Sequence, residues 1–301
     1  MPVLLMTVWL TGCVQEELGS TPSPTGNGIR FTLTVPDVNL PSVSSRTMTG
    51  TGTAKKEDEI ETVDILVFDM SKTPAVYLEC VSATGVTQDL ADNSTVSFSA
   101  VLSPTTASTC IVVVANKELD NIVPGFIKGT TTKVEAMEKM LHAQTGKWLA
   151  DGSTTDGYTR IPMYGEKVIS KITPSMDPIT GINMKRMLAR IDIRNNSATS
   201  NFTVEEVYLA NYNTTGYIAP AWNTNGQVTD PAPDTPVLPV NSGKMTEEGD
   251  AILYSVNGNT PYEGEIYTFE SIAAEDVGGV GQDGEASRKN ATCLIVKGRI
   301  G

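Results

Sequence analysis

One histidine, His142, stands among 301 residues. Zinc sites of the HExxH or three-histidine type need at least two imidazoles, so both are excluded. His142 lies next to the apolar face of a predicted helix, where a partly buried structural ring fits better than a general base. The stretch GVGQDG at 279–284 matches G-x-G-x-x-G. That motif binds a dinucleotide only between a strand and a helix whose N-terminus holds the pyrophosphate. The segment that follows, EASRKNATC, is polar and then strand-like, so a hairpin loop is the reading. The loop at 151–159 (DGSTTDGYT) lacks the alternate acidic ligands of a calcium site. Glu57-Asp58-Glu59, Glu205-Glu206 and Glu247-Glu248 read as solvated charge runs. No spacing selects two carboxylates as a glycosidase pair. The chain is therefore read as a non-enzyme, with no catalytic residue, no metal and no cofactor.

Four cysteines remain to be placed. Residues 1–12 (MPVLLMTVWLTG) are uncharged and largely apolar, too short to span a membrane and suited to a signal-peptide core. They run into Leu10-Thr11-Gly12-Cys13, which looks like a bacterial lipobox: Cys13 would be lipidated and become the first residue of the exported chain. The basic residues that open such a peptide are missing, which implies a start upstream of Met1. Cys80, Cys110 and Cys293 are left, an odd number in an exported protein, so at least one thiol is free. Cys80 and Cys110 both fall in strand-like segments. They could bridge, or stay as two buried thiols.

These residues sit in a chain of ordinary globular composition, 40% hydrophobic and 19% charged, long enough for about two domains. The net charge of −13 repels phosphate and argues against nucleic acid and anionic lipid as partners. With 38 threonines the chain is rich in a β-branched residue that favours strands.

The elements read as mostly β. After a polar tether at 18–27, Ile29, Phe31, Leu33 and Val35 alternate with polar residues, marking a one-sided strand. Residues 36–59 are rich in Pro, Ser, Thr and Gly and should form an exposed loop. Further strands are expected at 63–68, 75–81, 95–101 and 110–114, separated by turns as in a sandwich. A helix is expected at 132–144, with Val134, Met137, Met140 and Leu141 on one face, Thr132 as cap and Glu135 three residues on. Another strand is expected at 185–194. The pattern restarts after Ser197, with strands at 202–211, 215–218, 252–256, 265–269 and 292–296. This gives four regions: 1–12 signal peptide, 13–46 lipidated leader with the first strand, 47–196 first domain, and 197–301 second domain, incomplete at its end.

Several segments, in order, resemble one family: the lipobox, a single alternating strand, Ser44-Ser45-Arg46-Thr47 in the loop, then DILVFD (64–69), IVVVANK (111–117), IPMYGE (161–166), MLARIDIRN (187–195), VYLANYNTTGYIAP (207–220) and LIVKGR (294–299). The set is similar to the fimbrillins of Bacteroidales, the major-subunit family of type V pili. The acidic Gln15-Glu16-Glu17 resembles the surface-export tag of Bacteroidetes lipoproteins. The resemblance implies two β-sandwich domains of transthyretin-like character, with one short helix in the first. It also implies an outer-membrane lipoprotein that becomes part of a surface fimbrium serving cell adhesion.

In that family an arginine-specific protease cuts the loop after the first strand. The leader leaves, and a strand from another subunit fills the groove by β-strand addition. The matching bond is Arg46–Thr47, and the released strand is that of Ile29, Phe31, Leu33 and Val35. Arg30 is the competing arginine, but it lies inside the strand. The implied partners are other fimbrial subunits, the protease, and the outer membrane through lipid on Cys13. One departure is that no donor segment follows LIVKGR: either the sequence is truncated at both ends, or the chain cannot donate a strand, which would put a shaft role in question. Two alternatives stand beside the shaft subunit: a fimbrial anchor or accessory lipoprotein, and a surface glycan-binding lipoprotein using Trp148, Trp222 and Tyr217 for stacking.

Overall fold

The computed structural model of the chain describes residues 29–35, 58–88, 95–144, 146–148, 160–193, 201–228, 251–255, 262–271 and 292–301. Cys13, Arg46, Thr47, the loop at 151–159 and the glycine motif at 279–284 lie outside them.

The longest apolar runs form the centre. β2 (Val63–Asp69) and β6 (Thr109–Ala115) lie side by side, with β3 (Val76–Ser82) beyond β2 and β8 (Met163–Ile169) beyond β6. β10 (Lys185–Arg186) closes the far edge of this antiparallel sheet. Every residue of β6 is buried, which requires cover on both faces, and that explains a run apolar without alternation.

One cover is a second sheet, ordered β4 (Thr84–Gln88), β5 (Thr95–Ala100), β1 (Ile29–Thr34), β9 (Ile179–Asn183). Between the sheets, Phe31, Leu33, Val96, Phe98 and Ile182 pack on Ile65, Val67, Ile111, Val113 and Met163. Gly165 of β8 is required here. A Cβ on it would come within 2.7 Å of Met184 Sδ and 2.8 Å of Ile182 Cγ2.

The other cover contains α1 (Lys133–Lys139). It opens on the expected capping box: Thr132 Oγ1 accepts from the Glu135 N–H at 3.2 Å, and the Glu135 carboxylate accepts from the Thr132 N–H at 2.8 Å. The helix stops short of the expected residue 144. Leu141–Ala143 form β7, paired with β13 (Thr215–Tyr217), and the Ile218 N–H donates to the Met140 carbonyl at 3.0 Å. A tertiary strand partner thus overrides helical periodicity.

The remaining strands are β11 (Leu188–Ile193) paired with β15 (Tyr262–Phe269), and a sheet ordered β14 (Ile252–Ser255), β12 (Phe202–Ala210), β16 (Cys293–Ile300). The strand expected at 185–194 is two strands, broken at Met187: its start pairs with β8 and its remainder with β15. β11 precedes the domain boundary expected at 196/197, whereas β15 follows it. The β11–β15 ribbon faces two cores. Ile191, Ile193 and Ile266 join Val207, Leu209 and Tyr254, while Leu188, Tyr267 and Phe269 join the core beneath α1. The protein is mostly β, in several sheets, as its sequence pattern implies.

Candidate functional site: the groove filled by the first strand

β1 occupies an interior position of its sheet although it comes first in the described chain. It runs antiparallel to β5, with Ile29 opposite Ala100, Phe31 opposite Phe98 and Leu33 opposite Val96. On its other side it runs parallel to β9, with Phe31 opposite Ile179 and Leu33 opposite Ile182. The alternation in the sequence is the alternation in burial. Ile29, Phe31, Leu33 and Val35 are 4%, 1%, 0% and 1% exposed, while Arg30 and Thr34 face out. Burying such side chains is worth about 1.5–3 kcal/mol each, on the order of 10 kcal/mol for the four. A whole domain is stable by about 5–15 kcal/mol. The groove between β5 and β9 therefore cannot stay open; if β1 leaves, something of like shape must enter.

From residue 58 onward the chain is pinned. Arg186 pairs with Asp58. Arg160 pairs with Glu59 at 3.3 Å and Glu61 at 2.6 Å. The Gln88 side chain donates to the Asp58 carbonyl at 2.7 Å and accepts from the Ile60 N–H at 3.1 Å. Asn116, held at a left-handed φ of 58°, donates to the Glu59 and Ile161 carbonyls and accepts from the Glu61 N–H. Asp58 and Glu59, read as solvated charges, are thus structural, because their arginine partners come from residues about 100 or more positions away. This fastening holds residues 58–61 to the body independently of β1.

A second polar cluster, one without a local signature in the sequence, lies in the core beneath α1. Lys133, 1% exposed, reaches Glu166 at 2.6 Å and the Gly226 carbonyl. The buried Tyr164 hydroxyl donates to the same carboxylate at 2.6 Å. Burial, then the Glu166 charge, hold the Tyr164 hydroxyl well above its ordinary pKa. Helix, central sheet and the turn at Gly226 are joined through one charge pair. Gly226 has φ of +72° and approaches Lys133 and Val134 so closely that a Cβ would lie 3.2–3.3 Å from them.

His142 is on β7 rather than the helix. Its ring lies 5.0 Å from that of Trp148 and 6.5 Å from that of Phe269. Burial, then the Lys117 charge, push its pKa down to about 4, so it is neutral at pH 7.

The aromatic residues considered for sugar stacking do not form a platform. Trp148 and Trp222 are 4% and 7% exposed and belong to the core, with Tyr217 edge-on to Trp222 at 5.0 Å. Cys80, Cys110 and Cys293 are free thiols. The Cys80–Cys110 bridge is ruled out by register: the two lie on opposite sides of β2, opposite Leu66 and Phe68, roughly 12 Å apart at the usual strand spacing and rise, beyond the reach of a disulfide. Burial first pushes both thiols up to about 12. Among the described residues no three His, Cys, Asp or Glu side chains converge as a metal site, and no helix is long and apolar enough to cross a membrane.

Comparison with known proteins bears on these features. The chain is similar to a fimbrial assembly protein from Parabacteroides distasonis (11% identity, TM-score 0.42, covering 91% of this chain and 82% of that one). It is also similar to a putative cell adhesion protein from the same organism (17% identity, TM-score 0.46, covering 91% and 75%). No curated protein matches the chain. Residues 23–277 match a family described as fimbrillin-A associated anchor proteins Mfa1 and Mfa2. The expected fimbrial family is thereby borne out, while assignment to its major subunit is not. The span of the match covers most of the sequence, and the chain belongs to the family of fimbrillin-A associated anchor proteins Mfa1 and Mfa2.

Proposed function

We propose that this chain is a subunit of a surface fimbria. It is exported as a lipoprotein on Cys13, reaches the outer membrane, is cut between Arg46 and Thr47, and joins its neighbours by strand exchange in support of adhesion. The observation that carries this reading is the placement of β1, an early strand at an interior sheet position with its apolar face wholly buried. A cut in the loop frees its C-terminal connection, and the pinned residues 58–61 keep the chain downstream of the cut fastened to the body. The vacated groove then binds a partner strand through both ladders. The test is size-exclusion chromatography of the lipid-free chain from Val14 after limited digestion with an arginine-specific protease. Growth of larger oligomers as the leader disappears supports the reading. A cut chain that sheds the leader and stays monomeric contradicts it.

The description of the matched family favours a second reading, a fimbrial anchor. In that case the lipidated leader stays attached, β1 stays seated, and the Arg46–Thr47 bond survives the protease in the folded chain.

A further inference from the structure

We infer that the groove under β1 selects its occupant by an aromatic side chain at the position of Phe31; this rests on the strand-exchange reading above. The lining of the groove is uneven. Opposite Ile29 stands Ala100 and opposite Leu33 stands Val96, aliphatic residues that any apolar side chain of moderate size satisfies. Opposite Phe31 stands Phe98, and the two rings stack with centroids 5.0 Å apart and planes 9° from parallel. Ile179 closes the other side and the central sheet the floor. Phe98 is itself 3% exposed. An occupant without a ring at this position leaves a void against the Phe98 face, and core voids are costly. An occupant with a ring keeps both the volume and the stacking.

Direction is also set. The occupant must run antiparallel to β5 and parallel to β9, and the Met184 N–H, which donates to the Thr34 carbonyl at 2.8 Å, extends the second ladder. Thr34 faces outward and is not read. The demand is therefore for an extended segment of the form aliphatic-x-aromatic-x-aliphatic. On the strand-exchange reading, the occupant is a strand of a neighbouring subunit that carries this pattern.

The experiment uses the lipid-free chain digested with the arginine-specific protease, its leader loss confirmed by mass. The protease is then inactivated, and fluorescent heptapeptides with the sequence of residues 29–35 are added: the native one, and versions carrying Phe31→Leu, Phe31→Ala or Thr34→Ala. The native peptide should bind with the Thr34→Ala version within about threefold of it. Phe31→Leu should bind about tenfold more weakly and Phe31→Ala about a hundredfold more weakly. Equal binding of all four overturns the aromatic requirement and leaves strand exchange standing. A chain that resists the cut, or that loses its leader and binds none of the peptides, overturns both.

Discussion

Replacing Lys133 by methionine should be among the most damaging single changes in the molecule. Methionine keeps most of the apolar stem and removes only the ammonium. Glu166 is then left as a largely buried charge whose remaining neighbour is the Tyr164 hydroxyl, and the Gly226 carbonyl loses the donor Lys133 supplies. Removing one partner of a buried pair costs about 3–5 kcal/mol, because the other charge stays desolvated. The pair itself is not worth that much. In Lys133→Met/Glu166→Gln the charge is gone, and a glutamine oxygen still accepts from Tyr164. The remaining cost is about 1–3 kcal/mol for the Gly226 carbonyl. The double variant should thus be more stable than the single one by about 2 kcal/mol. Urea denaturation followed by tryptophan fluorescence reads this directly, since Trp148 and Trp222 lie in the same core. A single variant within about 1 kcal/mol of the parent, or a double variant less stable than the single one, refutes the reasoning.

Two further predictions concern titratable groups. His142 has a folded pKa of about 4, below its unfolded value near 6.5, so the unfolded state binds the extra proton. Its neutral ring therefore costs nothing above pH 6.5, and stability falls as pH drops from about 6.5 to about 4. Allowing for solvent at the partly exposed ring, the loss is about 1–2 kcal/mol. His142→Phe should flatten the denaturation free energy over that range by this amount, whereas parallel pH profiles for the two proteins would contradict it. Cys80 and Cys110, pushed up to about 12 by burial, should resist iodoacetamide in the folded protein at pH 8, while the exposed Cys293 reacts. Mass spectrometry showing Cys110 alkylated before Cys293 would overturn that order.

What the sequence made legible has a common physical cause. β1 could be read because one buried face imposes a period of two, and β2 and β6 because cover on both faces removes the period. The start of α1 was legible because a capping box is a local device. What it hid is non-local. β8 carries Glu166 and Lys167 within a strand, tolerated because Lys133 arrives from α1 to pair with Glu166. β4 and β9 are short, each has a glycine at positive φ, and they owe their order to neighbours in the sheet. The end of α1 and the break at Met187 are each set by a strand partner distant in sequence. At the candidate site the strand itself was legible, whereas the Phe98 stack and the arginines that pin residues 58–61 required the fold.

The measurement that tests the central claim most directly is intact mass after brief digestion of the folded, lipid-free chain with an arginine-specific protease. Strand exchange after processing predicts one early cut after Arg46 and loss of residues 14–46 from the folded remainder. Survival of the Arg46–Thr47 bond while other arginines are clipped would contradict it and favour an anchor that keeps its first strand.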